Sequence, residues 1–100
     1  MYKSAQKNYK SSNEKEIERK VEEFKKRLQK EFEELIMEEK KKEDIRVNEY
    51  ENEIDEDKKQ QIEKKNSDER AKSSQLINQT KQSNEEKVKE YEKKLRSEMV

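Results

Sequence analysis

The side chains of this chain that could do chemistry are carboxylates, amines, guanidinium groups and four tyrosines; His, Cys, Gly, Pro and Trp are all absent. The densest group is Asp55-Glu56-Asp57 with Glu51 and Glu53 nearby. Such a group binds a divalent cation when a turn gathers its oxygens, and a calcium loop needs Gly at its sixth position for that turn. Here the acids stand in a helix-favouring context without Gly, so the expectation is a solvated acidic face or a docking surface for a basic partner. Paired carboxylates also serve as general acid and base, but only in a dry cleft that separates their pKa values. Without His the commonest general base is missing, and without Cys there is no thiolate nucleophile or Cys-based metal site. Without Gly there is neither a Walker loop nor a dinucleotide fingerprint. The residue types therefore predict no catalytic, cofactor-binding or metal-ligating set, and a protein that is not an enzyme.

The basic groups are Lys40-Lys41-Lys42 and a segment over residues 1–12 that carries Lys3, Lys7, Lys10, Tyr2 and Tyr9 and no acid. Basic patches attract phosphate by releasing its counterions. The lysine run is flanked by acids and the formal net charge is zero, so nucleic acid is disfavoured as a partner. Residues 1–12 read as a flexible basic arm.

The elements that must carry these groups follow from composition. Of 100 residues, 52% are charged, 26 basic and 26 acidic, and Leu, Ile, Val and Phe together number sixteen. An ordinary globular domain draws on roughly 45–50% apolar residues, so only a disordered polyampholyte or a long exposed helix remains. Ala, Glu, Lys, Leu and Arg make up 54 residues, the composition of coiled coils and long helices. Disorder of this kind usually accompanies a high net charge, and the residues that end helices are missing. The fold class expected is all-α, a single long helix or coiled coil packing lengthwise on a partner.

Spacing supports this. Ser11/Glu14 and Asn13/Glu16 suit a capping box, and a helix is expected over 13–65. Ile17, Val21, Phe24, Leu28, Phe32 and Leu35 follow in steps of 4, 3, 4, 4 and 3, which puts all six on one stripe. They also read as two units of an 11-residue repeat. Glu16–Lys20, Glu22–Lys26 and Glu23–Arg27 add acid-first i, i+4 pairs. Residues 38–44 then lack any apolar side chain, and the stripe resumes with Val47, Tyr50 and Ile54. Tyr50 lies two 11-residue units after Leu28 and Ile54 three after Val21, so the same face continues across the charged gap. Residues 43–57 hold eight acids against Arg46 alone, a local charge of −7. Residues 63–75 form a second gap, with only Ala71 apolar. Residues 66–84 hold the poorest helix formers and two N-cap sequences, so a weak helix or hinge is expected there. Val88, Tyr91 and Leu95 restore the pattern in a C-terminal helix over 85–100.

A wet stripe gives a lone helix little stability, so a partner is implied, either another chain or this one. The candidate partner-binding residues are Ile17, Val21, Phe24, Leu28, Phe32, Leu35, Val47, Tyr50, Ile54, Val88, Tyr91 and Leu95. The gaps favour a hetero-partner over a self-dimer, because a homodimer zipper keeps its apolar seam through successive heptads. The longest apolar run is Leu35-Ile36-Met37, far short of a signal-peptide core or a membrane span. A cytoplasmic, or at least intracellular, location is expected.

The segments Val47-Asn48-Glu49-Tyr50-Glu51 and Gln82-Ser83-Asn84-Glu85-Glu86-Lys87-Val88 resemble the small G-type subunit of vacuolar ATPases, a peripheral-stalk helix of similar length. The resemblance covers about a dozen residues. It implies an unbroken helix paired with an E-type subunit. The family's Leu-Leu-x-Ala-Glu opening is absent, and Ala5 and Ala71 are the only alanines. The function expected is that of a non-catalytic scaffolding subunit of a larger assembly. The alternatives are such a stalk helix, a filament- or microtubule-associated helix, or a disordered regulatory chain that folds on binding.

Overall fold

The computed structural model describes the backbone of residues 2–98 and the side chains of residues 13–98. The expected basic arm, residues 1–12, falls outside the described side chains. The fold is all-α, as the composition predicts. Helix α1 spans Tyr2–Asn52 and helix α2 spans Glu56–Glu98. Ser11 and Asn13 lie within α1, so the expected capping boxes do not mark its start.

The interruption lies at 53–55, and α2 runs without a break through 66–84, where a weak helix or a hinge is expected, so of these two the helix is formed. The unbroken helix implied by the stalk-subunit resemblance is not formed. The physical reason lies in Asp55. Its Oδ1 accepts hydrogen bonds from the backbone N–H of Asp57 at 2.9 Å and Lys58 at 3.3 Å. These are the contacts of an N-cap. Glu56 and Asp57 place acids in the first turn of α2, where the helix dipole favours them. The last turn of α1 has no basic residue, so its dipole is uncompensated. Glu53 N–H closes that end on the Tyr50 carbonyl at 3.3 Å. Lys59 lies over the Tyr50 ring, 5.1 Å from its centre, and bridges the two helix ends. The serines, Asn and Thr of 66–84 have weak helix propensity, but tertiary packing outweighs such small differences.

The chain divides into two compact units. Unit 1 comprises residues 1–30 and 83–100; unit 2 comprises 31–82. In each, a stretch of α1 runs antiparallel to a stretch of α2. Unit 1 is held by apolar packing: Ile17, Val21 and Leu95 form a buried cluster, with Val88 and Tyr91 packed on it. Leu28 is also buried. Phe24 meets Tyr91 edge to face, with ring centres 4.6 Å apart and planes at 82°, an arrangement aromatic rings favour. At the rim of this unit the Arg96 guanidinium donates to both carboxylate oxygens of Glu14, at 2.8 and 2.9 Å.

Unit 2 is held differently. Its buried residues are Glu39, Arg46 and Asn66, with half-buried Phe32, Leu35, Tyr50, Ile62 and Ile77. A pair of helices can bury such groups only if each finds a partner.

Candidate interaction surface

Two grooves of unit 2 are open to solvent, and the candidate sites are the seams and outer faces of the two units. Ten of the twelve expected partner-binding residues are buried or half-buried within the chain's own units. In unit 1 these are Ile17, Val21, Phe24, Leu28, Val88, Tyr91 and Leu95. In unit 2, Phe32, Leu35 and Tyr50 are half-buried, while Val47 is exposed and Ile54 is 93% exposed. The docking stripe therefore meets α2. Ile54 leaves the seam because it sits in the break between the helices.

The residues that sequence reading missed are the polar members of the unit 2 seam. Arg46, 7% exposed, donates from Nε to Glu43 at 3.2 Å and from Nη1 to Glu69 at 3.5 Å. Arg70 crosses back to Glu43, with Nε to Oε1 at 2.8 Å and Nη2 at 2.7 Å. Asn66, 3% exposed, donates from Nδ2 to the Arg46 carbonyl at 3.3 Å. Glu39, 8% exposed, has the Lys42 ammonium 3.0 Å from its Oε2, without hydrogen-bond geometry at that oxygen. The two polar gaps of the sequence, 38–44 and 63–75, thus face one another.

A signal for these positions exists in the sequence. The 11-residue rows of α1 run Leu28–Glu39–Tyr50, Phe32–Glu43 and Leu35–Arg46. Those of α2 run Ile62–Ser73 and Asn66–Ile77 in unit 2, and Asn84–Leu95 in unit 1. Every one of these residues is buried or half-buried. Position on the row, not hydrophobicity, predicts the seam.

The charges are set by these contacts. The Arg70 side chain, hydrogen-bonded to Glu43, holds that carboxyl below its ordinary value of 4.5, with Arg46 adding to the effect. Lys42, then Ser73, lower Glu39 in the same sense, and Arg96 lowers Glu14. On the outside, Arg19 bridges Glu16 at 2.6 Å and Glu23 at 2.8 Å, and Glu92 meets Arg96 at 3.0 Å. Such exposed pairs contribute little each.

One face of unit 2 carries an open groove of about 470 Å³ between Ile45 and Leu76, rimmed by Lys42, Lys65 and Lys72. Its shallow, charged form is unlike the enclosed apolar pockets that hold small molecules. Among the described residues, no group of three acids converges as a metal site, and no helix is long and apolar enough to cross a membrane.

The seams define the class of object: in each unit a stretch of α1 pairs antiparallel with a stretch of α2, around an apolar cluster in unit 1 and buried polar groups in unit 2. No protein-family model, curated protein or solved structure matches the chain.

Proposed function

We propose that the protein is a non-catalytic structural subunit that works inside a larger protein assembly, presenting paired helices to a different protein. One observation carries this reading. Among the described residues, all six exposed large apolar side chains, Ile36, Met37, Ile45, Val47, Ile54 and Leu76, lie in unit 2. Scattered single apolar residues need no explanation, but their confinement to one unit does. The large apolar residues described in unit 1 are buried or half-buried in its own seam. Unit 2 buries Glu39, Arg46 and Asn66 beside half-buried apolar residues and leaves other apolar side chains outside, of which Ile45 and Leu76 share one groove, as expected of a surface that meets another protein.

The test is cross-linking in the source cells, followed by mass spectrometry of linked lysines, on the parent chain and on Met37→Lys/Ile45→Glu. The variant is expected to keep its helical circular dichroism and to lose links from Lys40, Lys41, Lys42 and Lys72 to one neighbouring protein. Identical link maps for parent and variant would refute the reading. A Leu28→Lys chain, with a charge in the unit 1 seam, is expected instead to lose helicity.

A further inference from the structure

We propose that the chain exchanges α2 with a second copy of itself, forming an antiparallel dimer in which residues 53–55 close into helix. The inference goes beyond the scaffolding role and stands on the break between the helices.

Nothing in the backbone requires that break. Its residues are Glu53, Ile54 and Asp55, with no Gly or Pro. Among the described residues none adopts a positive φ. What holds it locally is the Asp55 cap, the Glu53 N–H to Tyr50 carbonyl bond, the Asp55 N–H to Glu53 Oε1 bond at 3.2 Å and the Lys59 ammonium over the Tyr50 ring. Continuous helix satisfies the same backbone groups by its own i, i+4 bonds. Asp55 is therefore the main local device that favours the turn.

The hairpin also leaves Ile54 93% exposed. Ile54 continues the row of Val21, Phe32 and Glu43 at 11-residue spacing. Extending α1 through Asp55 returns it to the seam face. The cross-helix contacts of unit 2, Glu43 with Arg70 and Arg46 with Glu69 and Asn66, centre on residues 56–57. In an exchanged dimer the twofold axis falls there, and each Ile54 lies within about a turn of it. The α2 rows begin at Ile62, one residue beyond the continuation of the α1 rows at Gln61. A single inserted residue is what a π-bulge absorbs.

Every contact between α1 and α2 in the hairpin re-forms between the two copies, which is the property that makes exchange inexpensive. The dimer adds the burial of Ile54 from both chains. The route is eased beside the turn, where the seam is polar, while the apolar cluster of Ile17, Val21 and Leu95 must part as well. Water can satisfy Glu39, Glu43, Arg46 and Asn66 while the helices part, whereas an apolar seam would resist wetting.

The experiment uses the absence of native Cys. A Glu43→Cys/Arg70→Cys chain is fractionated by size with light scattering from about 10 μM to 1 mM, then oxidised within each fraction. Helicity of every variant is checked by circular dichroism. The expected result is a dimer fraction that rises with concentration and whose disulfides join two chains, while monomers link internally. Ile54→Gly removes a buried Ile and puts Gly in a helix in both chains, so dimerisation should weaken at least about a hundredfold. Asp55→Ala removes the cap in both chains and should strengthen it at least about fivefold. Any of three results would overturn the proposal: no dimer at 1 mM even with Asp55→Ala; a dimer whose disulfides close within each chain, which marks side-by-side docking of intact hairpins; or a dimer indifferent to both substitutions.

Discussion

Asn66 is the most deeply buried polar side chain described, at 3% exposure, and it makes one weak cross-helix bond, 3.3 Å to the Arg46 carbonyl. Replacing it with Leu, a side chain of similar size, separates stability from specificity. The lost hydrogen bond is worth a net ~0.5–1.5 kcal/mol. The carbonyl is not orphaned, because Arg46 sits inside α1, where carbonyls accept the i+4 N–H. A buried Leu returns ~1.5–3 kcal/mol. The balance favours Asn66→Leu by about 1–2 kcal/mol, which for a chain of this size raises Tm by roughly 5–10 °C. A polar residue in a helix seam often fixes register at a cost in stability, so the same change should loosen alignment. Thermal melts by circular dichroism measure the first effect. The second is read from disulfide formation between paired cysteines, comparing positions 43 and 70 with the pair 43 and 74, one turn away. In the Asn66→Leu background the off-register pair should close at a rate nearer to that of the native pair. A fall in Tm would refute the reasoning, since it would mean that Asn66 makes more than its one bond or that the site cannot hold an apolar side chain.

Three further outcomes follow from the same geometry. Leu95→Ala opens the buried cluster of unit 1 and should cost at least about 2 kcal/mol by urea denaturation, the low end for core truncation because a two-helix seam can close partly around the gap. Asp55→Ala removes the N-cap of α2 and should cost the hairpin ~0.5–2 kcal/mol, read as faster hydrogen exchange of the Asp57 and Lys58 amides in monomer. Acidification should destabilise the seam of unit 2. Glu43 and Glu39 are held below 4.5 in the folded chain, so their contribution is complete above about pH 4.5 and is lost as pH falls through the depressed folded values. The measurement is helicity against pH, with Arg70→Gln expected to shift the acid transition of unit 2 toward higher pH.

Much of the fold was legible in the sequence. Balanced charge without Gly or Pro specified helix, and the steps from Ile17 to Leu35 specified which face of α1 is covered. Two features were not legible from hydrophobicity. The break at 53–55 was hidden because Ile54 falls on the continuing row, and its cause is one capping aspartate followed by two acids, a pattern easily lost among the eight acids of 43–57. The polar seam was hidden because Glu39, Glu43 and Arg46 look like solvated residues. Glu43 and Arg46 are covered by Asn66, Glu69 and Arg70, more than twenty residues away for the bonded pairs Arg46–Glu69 and Glu43–Arg70, and Glu39 by Ser73 of α2. No local window contains both partners.

The charge gaps therefore change meaning once pairing direction is considered. Read along one helix, 38–44 is an interruption that argues against self-association. Set antiparallel to α2, it puts Glu43 against Arg70 and Arg46 against Glu69, opposite charges at both steps. A parallel pair of identical chains would instead set Glu39 against Glu39 and Glu43 against Glu43, and like charges facing across a seam are repulsive. The few apolar residues could zip helices in several registers and either direction. It is the polar stretch that admits one direction, because buried charges without partners cost several kcal/mol each. In unit 2 a seam with few apolar contacts gains specificity where it lacks strength, and both properties suit a helix pair that opens and re-forms with its contacts unchanged.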